Sequence, residues 1–382
     1  MGDRAPSHVT AGGVLTRVLR RLPWARGRSP QRALVLAGGG VIGGMYEVGA
    51  LAALDQNLAG FRANEFDLYV GSSAGAVVSA LIANGVNPSQ LYQILDEERD
   101  DPLNFHRGSV YHRGAFSIAA RNFLHLIWAV GKKAVTDFRL EWPDILARSD
   151  RDMPAGFFSL AALEAYVREA FAAKGLSNSF RDCPRHLLIP AIDLDRAQRA
   201  VFGAGSLVDT PISEAVAASS AIPGFFEPFR IGGRDYVDGD VGHTGHADLA
   251  VEWGATVVAI INPAVPLRIG SSDESEVRRR GLYAIMEQAG HITSARILEL
   301  GLSELRLRRP DVEFHLIQPT AGSTPPTGPA MGFEASRAGL RFGYGSVTEW
   351  LGSEESAEVR QRFAAAPARL LQGRRGGSSS TA

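Results

Sequence analysis

Along this chain of 382 residues, short continuous apolar runs alternate with longer stretches in which apolar residues recur every three or four positions. The first run, Ala33-Leu34-Val35-Leu36-Ala37, predicts a buried strand, and the spacing of Tyr46, Val48, Leu51 and Leu54 after it predicts a helix. Between the two lies Gly38-Gly39-Gly40-Val41-Ile42-Gly43-Gly44. The same succession returns from Asp67 to Ala80, where Leu68-Tyr69-Val70 breaks into Gly71-Ser72-Ser73-Ala74-Gly75 and then into small and apolar residues. Strand, sharp turn and helix are expected there. Residues from Asn87-Pro88 to about Arg151 read as helices and loops. They include Phe123 to Val130, which with Lys132 and Lys133 reads as a buried core helix or as a lid touching a membrane.

Ser159 is expected to cap a helix. Leu187 to Leu194 reads as a strand that pairs with Ala200-Val201-Phe202, and Asp193 at its end as a turn-capping residue. Ile212 to Ser220 predicts a helix of small residues stopped by Pro223. Further strands are expected at Arg234 to Val237, Ala255 to Asn262 and Phe314 to Gln318, and helices at 277–306 and from Ala335 to Tyr344. Three stretches follow: a leader at 1–30, a main domain at 31–352, and an extension at 353–382 whose end reads as disordered.

Composition narrows the function. With 45% hydrophobic and 21% charged residues and a formal net charge of -1, the chain has the balance of a soluble globular protein, and nucleic acid is not an expected partner. The single Cys183 can form no internal disulfide. No run approaches the roughly 20 apolar residues that span a bilayer, so an integral membrane protein is not expected; the expected location is cytoplasmic, with or without peripheral membrane association. The leader is different in character: Arg17, Arg20, Arg21, Arg26 and Arg28 interleave with Val14, Leu15, Val18, Leu19 and Leu22. It reads as a basic amphipathic helix lying on an anionic membrane, as a helix packed on the main domain, or as a disordered leader.

Candidate chemistry concentrates at three places. In Gly71-x-Ser73-x-Gly75 the small flanking residues make room for a strained turn that lifts a serine from the sheet edge, and Ser73 is the candidate nucleophile. Gly38, Gly39 and Gly40 form a loop whose N–H groups suit an anion, here the oxyanion of acyl transfer. Gly38-x-Gly40-x-x-Gly43 also matches the dinucleotide fingerprint, but the next strand ends in Gly71-Ser72-Ser73 rather than in a ribose-binding acid. Asp238-Gly239 closes a distant strand, and Asp238 is the candidate base, with Asp240 as a neighbouring charge. No metal or cofactor is called for, and the substrate expected is a lipid or other acyl ester. Two rivals stand: a Ser-His-Asp hydrolase using His243, His246, His291 or His315, and a lipid- or dinucleotide-binding protein without catalysis.

Four blocks taken in order, Gly38 to Gly43, Gly71 to Gly75, Ala217 to Pro223 and Asp238-Gly239, make the chain resemble the patatin-like phospholipases from about Ala33 to Trp350. The resemblance implies a three-layer α/β/α fold with a mostly parallel sheet. It also implies a Ser73–Asp238 dyad without histidine, a glycine-loop oxyanion hole, and hydrolysis of lipid acyl esters without metal. Two positions depart from the family pattern: Ile42 stands where arginine or lysine is common, and Asp240 where glycine or alanine is.

Overall fold

The computed structural model describes residues 32–104, 155–156, 158–266, 281–320, 326 and 335–364. The leader and the run from Phe123 to Lys133 lie outside these residues. Eight strands form one sheet: β1 (Arg32–Leu36), β2 (Leu68–Gly71), β3 (His186–Asp193), β4 (Gln198–Phe202), β5 (Phe229–Ile231), β6 (Arg234–Val237), β7 (Val257–Ile261) and β8 (Glu313–Ile317). The order across the sheet is β5-β6-β3-β2-β1-β7-β8, with β4 paired to β3. β3, β2, β1, β7 and β8 run parallel, and β4, β6 and β5 add antiparallel pairs at one side.

The parallel strands are continuously apolar because both of their faces are covered. Side chains alternate across the pleat, so neighbours in sequence go to opposite layers. Leu34, Leu36, Tyr69, Ala259 and Ile261 join one core. Helices α1 (Gly40–Asn57), α2 (Ala74–Ala83), α3 (Pro88–Asp96), α4 (Ala161–Lys174), α5 (Ile212–Ser219) and α8 (Ser336–Leu351) supply its other side. Ala33, Val35, Leu68, Val70, Val258 and Ile260 join a second core, which α6 (Ala247–Glu252) and α7 (Leu282–Arg308) complete. The architecture is therefore a three-layer α/β/α sandwich around a mostly parallel sheet.

Several local readings are sharpened. The cap of α4 is Leu160, with Ser159 one residue earlier accepting the Ala161 N–H at 3.3 Å, because the chain enters the helix from the Phe158 bridge. Asp193 does close a turn: its carboxylate accepts the Arg196 N–H at 3.0 Å. The packed core also runs past residue 352, since α9 (Ala357–Ala364) buries Val359 and Phe363, the latter edge-on to Phe61 at 5.1 Å.

Candidate active site

Parallel pairing places two glycine turns side by side. Leu36 of β1 is in register with Gly71 of β2, so the loop after β1 and the turn after β2 leave the sheet at the same edge. The Ser72 N–H still donates to Leu36 O at 3.2 Å, after which the chain turns sharply. Ser73 sits at φ 52, ψ -129, a conformation an L-residue holds only under constraint, and it immediately precedes α2. The constraint is visible in the glycines. A Cβ on Gly75 would lie 2.5 Å from Leu36 O, and one on Gly38 would lie 2.6 Å from Ser72 O and 2.9 Å from Ser73 Cβ. Gly38, Gly39 and Gly40 all have positive φ (74, 121 and 67), which is why three consecutive glycines stand there.

Asp238 reaches the same place from the other side of β3. The pairings Val70 with Leu188 and Ile192 with Val237 bring the ends of β2 and β6 to neighbouring levels on either side of that strand. The segment after α5 ties these ends together. The Ser73 N–H donates to Ser219 Oγ at 3.0 Å, and the Ser219 hydroxyl donates to Pro190 O at 2.6 Å. The Ser220 hydroxyl reaches Ser73 O at 3.3 Å, while the Asp238 and Gly239 N–H groups donate to Ala221 O and Ser219 O at 2.9 and 3.2 Å. Ser219 and Ser220 were visible in the sequence only as small residues; their buried hydroxyls are what that block contributes here.

Asp238 is buried, at 4% exposure, and Ser73 is at 5%. Asp238 Oδ1 accepts the Asp240 N–H at 2.9 Å, whereas Oδ2 has no hydrogen bond of good geometry. Burial pushes the carboxyl up to about 6, and the nearby Asp240 N–H and Ser73 hydroxyl act in the opposite sense. The Ser73 hydroxyl thus lies near the carboxylate, though no hydrogen bond of good geometry joins it to Oδ2. Asp240 is held by the Ser72 hydroxyl, which donates to its Oδ1 at 2.6 Å, and burial followed by the Asp238 charge pushes its carboxyl well above the usual range.

The glycine loop corrects one expectation. Gly38 was expected to offer its N–H to an oxyanion, but that N–H donates to Glu47 Oε1 at 2.9 Å, so it points back into the protein. Gly39 and Gly40 keep N–H groups that have no acceptor among the described residues, at the N-terminus of α1. The Ala74 N–H, first in α2, is in the same position, and a sequence reading centred on the glycines overlooks it. Ile42 lies against α8, with its Cγ2 3.0 Å from where a Cβ on Gly339 would be, so the residue that replaces the usual arginine or lysine packs between two helices.

Among the described residues, none of His243, His246, His291 and His315 hydrogen-bonds Ser73 or Asp238. His246 is buried behind the Asp238 turn, where Nε2 meets Gly239 O at 3.0 Å and Nδ1 meets Arg199 at 3.3 Å. Burial and the Arg199 charge push it down to about 3, so the ring is neutral. Arg199 is itself fixed by two hydrogen bonds to Asp248, at 3.0 and 2.6 Å. This network supports the backbone of the Asp-Gly turn rather than a proton path to serine.

Ser73 and Ala74 open onto an apolar cavity with about 970 Å³ of empty space, its mouth included. Met45 and Val48 of α1, Val77 and Leu81 of α2, Val167 and Phe171 of α4, and Ile222 and Phe226 line it.

The chain is similar to several known proteins. A Bacillus subtilis protein, the uncharacterized protein YqhO, is 28% identical over 218 residues, 54% of this chain and 62% of that protein. The match therefore spans less than two thirds of the relative. Among solved structures, VipD from Legionella pneumophila is 15% identical with a TM-score of 0.37, covering 85% of this chain and 67% of that one. Full-length ExoU, crystallised with SpcU from the type III secretion system of Pseudomonas aeruginosa, is 17% identical with a TM-score of 0.35, covering 89% and 54%. The profile of the patatin-like phospholipases matches residues 34–250, the segment that carries the end of β1, the glycine loop, the serine turn, the α5 block and the Asp-Gly turn. On that match, which covers more than half of its length, the chain belongs to the patatin-like phospholipase family.

Proposed function

We propose that this protein is a serine-dependent lipid acyl hydrolase of the phospholipase A or esterase type. The observation that carries the reading is Ser73: a strained, buried serine facing a desolvated aspartate and opening onto a cavity walled by apolar side chains. Ser73 Oγ attacks the ester carbonyl carbon while Asp238 takes the hydroxyl proton. The tetrahedral oxyanion forms beside the Gly39 and Gly40 N–H groups, and collapse expels the alcohol, which receives the proton from Asp238. A water activated by Asp238 then attacks the acyl-enzyme, releasing the fatty acid and restoring Ser73. Raising Asp238 toward about 6 brings its basicity nearer the operating pH, so burial serves the chemistry directly.

The apolar lining of the cavity favours one kind of substrate. An acyl chain gains roughly 0.8 kcal/mol for each methylene buried, while a charged group there would be left without a partner. Uncharged acyl chains fit, and the polar part of the ester stays at the mouth by Ser73. Metal plays no part in this scheme.

The test is hydrolysis of short- and long-chain p-nitrophenyl esters with a chelator present, by the wild type, Ser73→Ala and Asp238→Asn. Wild-type activity that both variants lose by at least about a thousandfold supports the dyad. Near-full activity in Asp238→Asn would overturn it.

A further inference from the structure

Glu47 stands in the middle of α1 between Tyr46 and Val48, with 0% of its surface exposed. A carboxyl on a buried helix face is destabilising unless it bonds something that an apolar side chain could not. Here Oε1 accepts the Gly38 N–H at 2.9 Å, reaching out of the helix to the loop that precedes it. Oε2 is buried and has no hydrogen-bond partner among the described residues. The other side of Gly38 is also a carboxyl: Asp240 Oδ2 lies 3.2 Å from where a Cβ on Gly38 would be, and Asp240 is fixed in turn by Ser72.

We infer that Glu47 is the positioning residue of the oxyanion loop, holding Gly38 N–H inward so that Gly39 and Gly40 turn with their N–H groups free beside Ser73. The inference rests on the acyl-hydrolase reading above. Three glycines in succession allow many backbone conformations, and an oxyanion hole works only if its donors are in place before charge develops. The Gly38 bond is the side-chain tether on this loop among the described residues, and it enters at the residue where the chain leaves β1. Burial, and then the Asp240 charge, push the Glu47 carboxyl well above its usual range. Its Oε1 presents to Gly38 an acceptor that a glutamine carbonyl would also supply.

Glu47→Gln, Glu47→Met and Glu47→Asp, with Ser73→Ala beside them, test this. Glu47→Gln keeps the acceptor and is expected to keep kcat within about threefold of wild type. Glu47→Met has no acceptor, and Glu47→Asp is one methylene too short; each is expected to lose at least about tenfold in kcat with KM nearly unchanged, as loss of transition-state stabilisation requires. The melting temperature separates position from stability: Glu47→Met is expected to melt close to wild type, since removal of a buried acid offsets the Gly38 N–H left unpaired. If it does not fold, the Glu47→Gln and Glu47→Asp pair carries the same contrast. Wild-type kcat in Glu47→Met or Glu47→Asp, or a loss in Glu47→Gln as deep as theirs, overturns the inference. Full activity in Ser73→Ala would instead bring down the acyl-hydrolase reading itself.

Discussion

At the scale of residues, what matters most is where protons sit. In the proposed mechanism Asp238 has to be ionised to accept the Ser73 proton, and burial lifts its carboxyl to about 6. Activity, read as kcat/KM, is therefore expected to fall about tenfold per pH unit below roughly pH 6. A flat profile down to pH 5 would contradict this. The same shift acts on stability with a definite sign. The folded carboxyl holds its proton more tightly than the unfolded one, so the fold loses stability as pH rises from about 4 through 6. Asp238→Asn removes that cost while its side-chain oxygen still accepts the Asp240 N–H. The variant is expected to be inactive yet more stable than wild type at pH 7, by about 1–3 kcal/mol, measurable by denaturant unfolding. Greater stability alongside lost activity would mark Asp238 as a strained functional group.

Close backbone approach governs the elements. α2 is seated on β1 through Gly75, whose missing side chain lets Leu36 O and Gly38 N come near. Gly75→Ala is expected to destabilise by about 1–3 kcal/mol and to displace Ser73, with activity falling more than fold content by circular dichroism. α1 and α8 meet the same way: a side chain on Gly49 or Gly343 would collide with backbone of the opposite helix, at Leu340 O or Tyr46 O. α8 thereby braces the helix that carries Glu47, although its residues are far away in the chain. Ser219 links elements through hydrogen bonds, accepting from Ser73 N–H and donating to Pro190 O. Ser219→Ala leaves both groups buried and unpaired, and a loss of about 1–3 kcal/mol is expected on thermal or denaturant unfolding.

For the whole molecule, the arrangement of layers creates the cavity. α1, α2 and α4 line the gap beside Ser73, and the gap is apolar because each helix turns its core face inward. If acyl chains occupy that gap, each added methylene is expected to raise kcat/KM about fourfold until the cavity is filled. Ala170→Phe, at a buried position of α4 on the cavity wall, is expected to move the chain-length optimum to shorter esters and leave short-ester activity nearly unchanged. An unaltered length profile would place the acyl chain elsewhere. Among the described residues no helix is long and apolar enough to cross a membrane.

The sequence by itself determined the strands and the turns that carry chemistry. Runs such as Ala33 to Ala37 and Val257 to Ile261 are legible because strands buried on both faces must be apolar throughout. Gly38 to Gly40 and Gly71 to Gly75 are legible because only glycine tolerates such backbone angles and approaches. Tertiary structure alone decided which groups meet. Ser73 and Asp238 are brought together by strand register, a property of pairs of distant segments that no local pattern encodes. Glu47 looks in the sequence like a solvated charge in a helix, and only the turn at Gly38 and the packing of α1 onto the sheet make it a buried acceptor. Phe363 likewise follows a polar stretch, yet it joins Phe61 and Phe66 in the core. Local pattern reports what each segment must avoid or tolerate; partners are settled only when long-range packing closes, because burial depends on what arrives from elsewhere in the chain.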